Sequence, residues 1–85
     1  MADKLKFDLV SPERLVLSAD VDAVQVPGAE GDFGVLPKHA PFMAMLRAGT
    51  LSVQNDGKTQ HFELDGGFVD VTPEGLTVLA ESIGE

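Results

Sequence analysis

Cysteine, tryptophan and tyrosine are all absent from the 85 residues. Without cysteine the chain has no disulfide to supplement its core and no thiolate for a zinc site. Without Trp or Tyr it lacks the usual platforms on which bases and sugars stack. Positive charge is scarce as well: six Lys and Arg stand against fourteen Asp and Glu, a net charge of −8. The imbalance is uneven, because residues 55–85 carry seven acids and only Lys58. Such a field repels phosphate, offers no counterion release to a nucleic acid, and opposes direct contact with anionic lipid. No 18 consecutive residues are apolar, so no membrane-spanning helix is encoded. The N-terminal stretch, broken by Asp3, Lys4, Lys6 and Asp8, lacks the apolar core of a signal peptide.

What is present is strand-type alternation cut by turn residues. Leu5, Phe7 and Leu9 alternate with Lys4, Lys6 and Asp8, the pattern of a half-buried strand. Ser11-Pro12-Glu13 breaks it, since proline fixes φ and donates no hydrogen bond. Leu15 to Leu17, Val21 to Val26 and Gly31 to Leu36 read as further short strands. Phe42 to Leu46 is apolar throughout; bracketed by Pro41 and Gly49, it is too short for a helix and is predicted as a strand. Leu51 and Val53, then Phe62 and Leu64, flank Asn55-Asp56-Gly57-Lys58, whose Asp-Gly step supplies the positive φ values of a hairpin turn. Phe68 to Val71 and Leu76 to Ala80 form a last hairpin around Thr72-Pro73-Glu74-Gly75, after which the chain is expected to carry no further strand. About nine short strands at this spacing predict an all-β fold, a flattened β-sandwich or barrel in one domain over residues 1–85.

Catalytic chemistry is hard to assemble from these residues. His61 falls on the polar side of an alternating strand beside Glu63, the ordinary place for a solvated histidine. His39 lies in the break Pro37 to Pro41, and two unlinked histidines with scattered acids define no metal site. Asp20-Val21-Asp22 opens like a calcium loop, but Gln25 stands at the sixth position, where glycine is required, and Gly31 at the twelfth, where glutamate is required. No serine has the setting of an activated nucleophile. The glycine-rich stretch Gly28 to Gly34 lacks a phosphate-loop lysine, and Glu30 and Asp32 would repel a phosphate. No catalytic residue, metal or cofactor is therefore assigned. Residues 27–41 remain dense in Gly and Pro, which predicts tightly held loops presenting Asp32 and His39 for docking. Two other classes stay open. A small-molecule or sugar-binding sandwich would need aromatic pocket walls, and most of the five Phe are expected to be consumed by the core. A metal-dependent enzyme would need His39 and His61 to converge.

The run Val26-Pro27-Gly28-Ala29-Glu30-Gly31-Asp32-Phe33-Gly34-Val35-Leu36-Pro37-Lys38-His39-Ala40-Pro41 resembles the signature of the epsilon subunit of F-type ATP synthases. Leu46 to Leu51, Gly66-Gly67-Phe68-Val69-Asp70-Val71 and Thr77 to Ala80 match further steps of that family in order and spacing. The resemblance implies a sandwich of two roughly five-stranded sheets, corresponding to the family's N-terminal domain. It implies a non-catalytic part of the central stalk, bound to the gamma subunit and the c-ring, that couples proton-driven rotation to ATP synthesis. The implied location is peripheral, on the cytoplasmic side of the energy-transducing membrane. By position in the motif, Asp32, presented by Gly28, Gly31 and Gly34, corresponds to the c-ring contact. His39, with Ser11 and Ala44, corresponds to the gamma contact, and the exposed apolar run Phe42 to Leu46, Met43 included, is expected on the same face. Family members commonly continue into a C-terminal helical hairpin that restrains ATP hydrolysis and in some binds ATP. This chain ends at Glu85, so it is expected to be either an excised domain or a short form.

Overall fold

The computed structural model describes residues 4–37 and 41–84, and these form eight strands and no helix. β1 (Leu5–Val10) buries Leu5, Phe7 and Leu9 and turns Lys6 and Asp8 outward, as the alternation predicts. The turn after it is closed by Ser11, whose N–H donates to the Arg14 carbonyl at 2.9 Å and whose Oγ accepts from the Arg14 N–H at 3.2 Å. β2 (Leu15–Val21) then returns antiparallel to β1. A register shift between Leu9 and Val10 leaves Val16 as an extra residue and sets Leu15 opposite Val10. β3 (Ala23–Val26) and β4 (Phe33–Val35) pair with each other.

Two predicted boundaries turn out to lie inside strands. β5 (Phe42–Asn55) and β6 (Lys58–Val71) are 14 residues each and run unbroken through Gly49 and through Gly66-Gly67. Between them Asp56 and Gly57 have φ of 53° and 78°, the paired positive values of a tight hairpin. β7 (Gly75–Ala80) follows the Thr72–Gly75 turn and lies parallel to β1. The expectation of no further strand fails, because β8 (Ile83–Gly84) pairs with β6.

All eight strands belong to one hydrogen-bonded order, β2-β1-β7-β6-β5-β3-β4, with β8 on β6. The two-layered form follows from which residues of the long strands are buried. In β6 these are Phe62 and Leu64, then Val69 and Val71; in β5, Leu46, then Leu51 and Val53. Side chains alternate strictly along a strand, so a switch from even to odd positions means that the strand has bent at a corner. The corner falls at Arg47–Gly49 in β5 and at Gly66-Gly67 in β6, directly across the ladder. Gly67 is required there: its φ is 127°, and a Cβ would sit 2.0 Å from the Leu79 carbonyl oxygen.

Each long strand thus serves both layers. The first is β2, β1, β7, the 67–71 half of β6 and the 42–46 half of β5. The second is β8, the 58–65 half of β6, the 48–55 half of β5, β3 and β4. The two predicted five-stranded sheets are present, joined through β5 and β6, and their facing apolar side chains form a single core.

Candidate docking surface

The outer face of the first layer is the unusual one. Pairing sets Leu15 opposite Val10, Val10 beside Leu79, Leu79 opposite Phe68, and Phe68 opposite Met45. Partners in a ladder share a face, so these five make one apolar row across the whole layer. At about 4.8 Å per strand the row runs for about 19 Å. Leu15 is 54% exposed, Met45 65% and Phe68 37%, and Met43, one step along β5, is 66% exposed. Sequence reasoning assigned Met43 to this face but missed Phe68, Leu79, Val10 and Leu15. A signal was available: in Leu76 to Ala80 the alternation Leu76, Val78, Ala80 accounts for one face, yet Leu79 stands on the other, which a strand with one wetted side does not need.

The outer face of the second layer is the opposite in character. Its rows read Gln25, Ser52, His61 and Ala23, Gln54, Thr59, and two cross-strand side-chain pairs on it are hydrogen-bonded. Ser52 Oγ lies 3.0 Å from His61 Nδ1, and Thr50 Oγ1 donates to Glu63 Oε2 at 2.5 Å. His61 is exposed, as its place in the alternation predicted. Among the described residues no group of three or more His, Cys, Asp or Glu is arranged to hold a metal ion.

The Gly-rich loop sits on the free edge of the first layer. Ala29 N–H donates to the Met45 carbonyl at 2.9 Å, and Arg47 N–H donates to the Pro27 carbonyl at 3.0 Å. The loop also folds on itself, Gly31 N–H donating to the Gly28 carbonyl at 3.1 Å. Gly28 is buried where a Cβ would meet the Gly31 carbonyl oxygen at 2.4 Å, so only glycine permits this closure. Gly31, at φ 137°, turns the chain outward to Asp32, and Gly34 lies in β4 against Gln25. Asp32 is exposed as predicted, but its carboxylate is engaged by the Arg47 guanidinium from across the corner. Arg47 was not singled out by sequence, because a pairing across the fold leaves no local pattern.

Between this loop and β5 lies an apolar groove of about 750 Å³, with Gly28, Gly31 and Ala29 on one wall and Met43, Met45 and Phe68 on the other. Phe33 and Phe42 also line it, their rings 5.4 Å apart and edge-to-face. Four of the five Phe serve the core as expected, Phe7 and Phe62 buried in it and Phe33 and Phe42 packed against it, but Phe33 and Phe42 also line the groove together with the exposed Phe68. Residues assigned to two different partners, Gly28 and Gly31 on one hand and Met43 and Ala44 on the other, therefore border one surface. Ala44 is half-buried and packs against the core, so its exposed neighbours carry the face. Ser11, half-buried, stands at the far end of the apolar row beside Leu15 and uses its hydroxyl within its own turn. His39 lies outside the described residues.

Far from this surface, Lys4 ties three segments together. Its Nζ donates to Asp22 Oδ1 at 2.7 Å, Asn55 Oδ1 at 2.7 Å and Asp56 Oδ1 at 3.1 Å. The Asp22 carboxylate also accepts the Asp56 N–H at 2.8 Å. The hydrogen bond from Lys4 holds the Asp22 carboxyl below its ordinary range, and the hydrogen bond to Asp22 holds the Lys4 ammonium above its own. The cluster staples the start of β1 to the β2–β3 corner and the hairpin tip.

A two-layer sandwich with one apolar outer face and no catalytic constellation among its described residues has the form of a docking module. Residues 4–85 match the family described as ATP synthase, Delta/Epsilon chain, beta-sandwich domain, and the chain belongs to that family. It is 60% identical over 81 residues to the ATP synthase epsilon chain of Maricaulis maris, covering 95% of this chain and 61% of that one. It is 60% identical over 78 residues to the epsilon chain of Caulobacter vibrioides, covering 92% of this chain and 91% of that one. The chain thus spans about three fifths of the one relative and nearly all of the other. In fold it is similar to a chain of the Euglena gracilis mitochondrial ATP synthase, in a structure of OSCP, F1 and c-ring, with a TM-score of 0.92. That match has 23% identity and covers 99% of this chain and 54% of the other, so it speaks for the fold alone.

Proposed function

We propose that this domain is a non-catalytic docking piece of a rotary ATP synthase central stalk. The outer face of its first layer binds the gamma subunit. The Gly28–Gly34 loop, with Asp32 at its tip, turns toward the c-ring. In this reading the domain is peripheral to the membrane, reaching it only through the complex, and carries torque from proton-driven rotation without making or breaking a bond itself. The observation that carries it is the contrast between the two outer faces: Leu15, Val10, Leu79, Phe68 and Met45 on one, hydrogen-bonded polar rows on the other. An exposed apolar row crossing five strands costs solubility unless a partner covers it. The loop adjoins that row along β5, so one domain can hold both neighbours at once. His39, by its place in the family motif, is assigned to the gamma side.

The test is calorimetric titration of the gamma subunit with this domain and its variants. Phe68→Ser and Met45→Ser each remove apolar contact worth about 1.5 kcal/mol or more, so each is expected to weaken binding by about tenfold or more. Gln54→Ala and Thr59→Ala, on the opposite face, are expected to leave affinity unchanged. Loss on the polar face with none on the apolar face would refute the assignment.

The groove gives a specific reason to keep one other reading, an apolar small molecule seated between Phe33, Phe42 and Phe68. It predicts saturable binding of such a ligand by the isolated domain, with Phe42→Ala abolishing it. Gamma binding that survives a saturating ligand would separate the two.

A further inference from the structure

A second row runs directly beneath the apolar one on the same outer face. Ser18 is opposite Asp8, Asp8 beside Thr77, Thr77 opposite Asp70, and Asp70 opposite Met43. The spacing of a strand puts this row about 7 Å from the apolar row, and puts Asp8 and Asp70, two strands apart, at about 10 Å from one another. Asp8 takes a hydrogen bond from Ser18 Oγ at 2.6 Å on one oxygen only. Asp70 is exposed and has no ion-pair partner among the described residues. Among the described residues, Lys6 stands one row further on and opposite Asp20. Among the described residues the face is therefore apolar along one line and negative along the next, with no ion pair to Asp8 or Asp70.

We infer that the partner of this face presents an apolar ridge flanked by two basic side chains, which pair with Asp8 and Asp70 and fix the register of docking. The inference rests on the docking reading and adds to it the chemistry of the partner. An apolar row alone lets a partner slide along it, because apolar contact has no direction. Two carboxylates to one side of the row remove that freedom: only one orientation of an amphipathic partner brings its cations over them. The pairs sit at the rim of the contact, so they steer and align more than they hold. The other acids of the face mark the boundary, since Asp20 already faces Lys6.

The experiment titrates the cognate gamma subunit with the wild-type chain and with Asp8→Asn, Asp70→Asn and the double variant, between roughly 0.05 and 0.5 M salt. Asparagine keeps the acceptor for Ser18 and removes only charge. Wild-type affinity is expected to fall with salt. The double variant is expected to bind about three- to tenfold more weakly at low salt and to lose that salt dependence. Asp20→Asn, with the same change in net charge as either single variant but one row away, is expected to keep the wild-type salt dependence. If Asp20→Asn acts as strongly as Asp8→Asn or Asp70→Asn alone, only net charge matters and register pairing is wrong. If the double variant behaves as wild type while Phe68→Ser still weakens binding, the basic flank is refuted and the docking reading stands. If Phe68→Ser has no effect, the docking reading itself falls.

Discussion

Replacing Gly67 by alanine tests the corner that makes this sheet two-layered. Two costs add. The φ of 127° lies where L-residues are rarely found, a strain of about 1–3 kcal/mol. The new methyl carbon would also stand 2.0 Å from the Leu79 carbonyl oxygen and 2.9 Å from Ala80 Cα, both backbone atoms that no rotamer change can move aside. Relief requires β6 and β7 to part at the Gly67–Ala80 pair, which forfeits about 1 kcal/mol of ladder hydrogen bonding. The sum, about 2–4 kcal/mol, is a large share of the roughly 4–13 kcal/mol available to a domain of this length. At about 4–8 °C per kcal/mol, the melting midpoint is expected to fall by roughly 10–30 °C. The internal control is Gly66→Ala. Gly66 has φ 91° but nothing within 4 Å of its would-be Cβ, so only the strain applies and the loss is expected to be clearly smaller. Thermal melts followed by circular dichroism compare the two. Equal losses would refute the account, because the close approach of β7 to β6 at Gly67 would then have no energetic consequence.

Three further outcomes follow from the charged groups. The Asp22 carboxyl is held below its ordinary value of 3.8 by Lys4, so the stability it adds is complete above that pH and is lost as pH falls through the lowered value. Lys4 is held above 10.5, so its contribution is complete below that pH and is lost as pH rises through the raised value; in Lys4→Met the alkaline dependence should vanish from a pH series of urea melts and the acid one should shrink to what the Asp56 N–H sustains at Asp22. Arg47→Met breaks a half-exposed ion pair and is expected to cost under about 1 kcal/mol in the same melts, a larger loss showing that the pair holds the loop closed. Asp32→Lys is expected to impair proton-coupled ATP synthesis in the reconstituted complex while leaving gamma affinity largely intact, and equal loss of both would contradict separate contacts on the loop and the layer.

The local features of the fold were legible because their signals are local. The alternation of Leu5 to Leu9 and the Asp56-Gly57 step each specify a structure within a few residues, and both appear as expected. Gly49 and Gly66-Gly67 misled for a physical reason: glycine usually marks the end of a strand, whereas here it lets a strand bend between layers. β8 is two residues long, too short to show any period. The apolar row was illegible as a row, since Val10 meets Leu79 and Phe68 meets Met45 only through long-range pairing. Each strand contributes just one or two residues to it, which look like isolated exposed apolar positions. Of the predicted site, Gly28, Gly31, Met43 and Ala44 fall together around one groove, Asp32 is exposed on the loop beside it, and Ser11 stands at the other end of the row. The engagement of Asp32 by Arg47 joins residues from different elements and could not be read from either alone.

The central claim is that the apolar outer face of the first layer, and not the polar face of the second, is covered by the gamma subunit. Methyl-resolved NMR of the domain, labelled at Met, Leu and Val and titrated with unlabelled gamma, tests this most directly. The account predicts large shifts at Met43, Met45, Leu15, Val10 and Leu79, with Ala23 in an alanine-labelled sample unmoved on the opposite face. Shifts confined to Ala23 and its surroundings, with Met43 and Met45 unchanged at saturation, would contradict it.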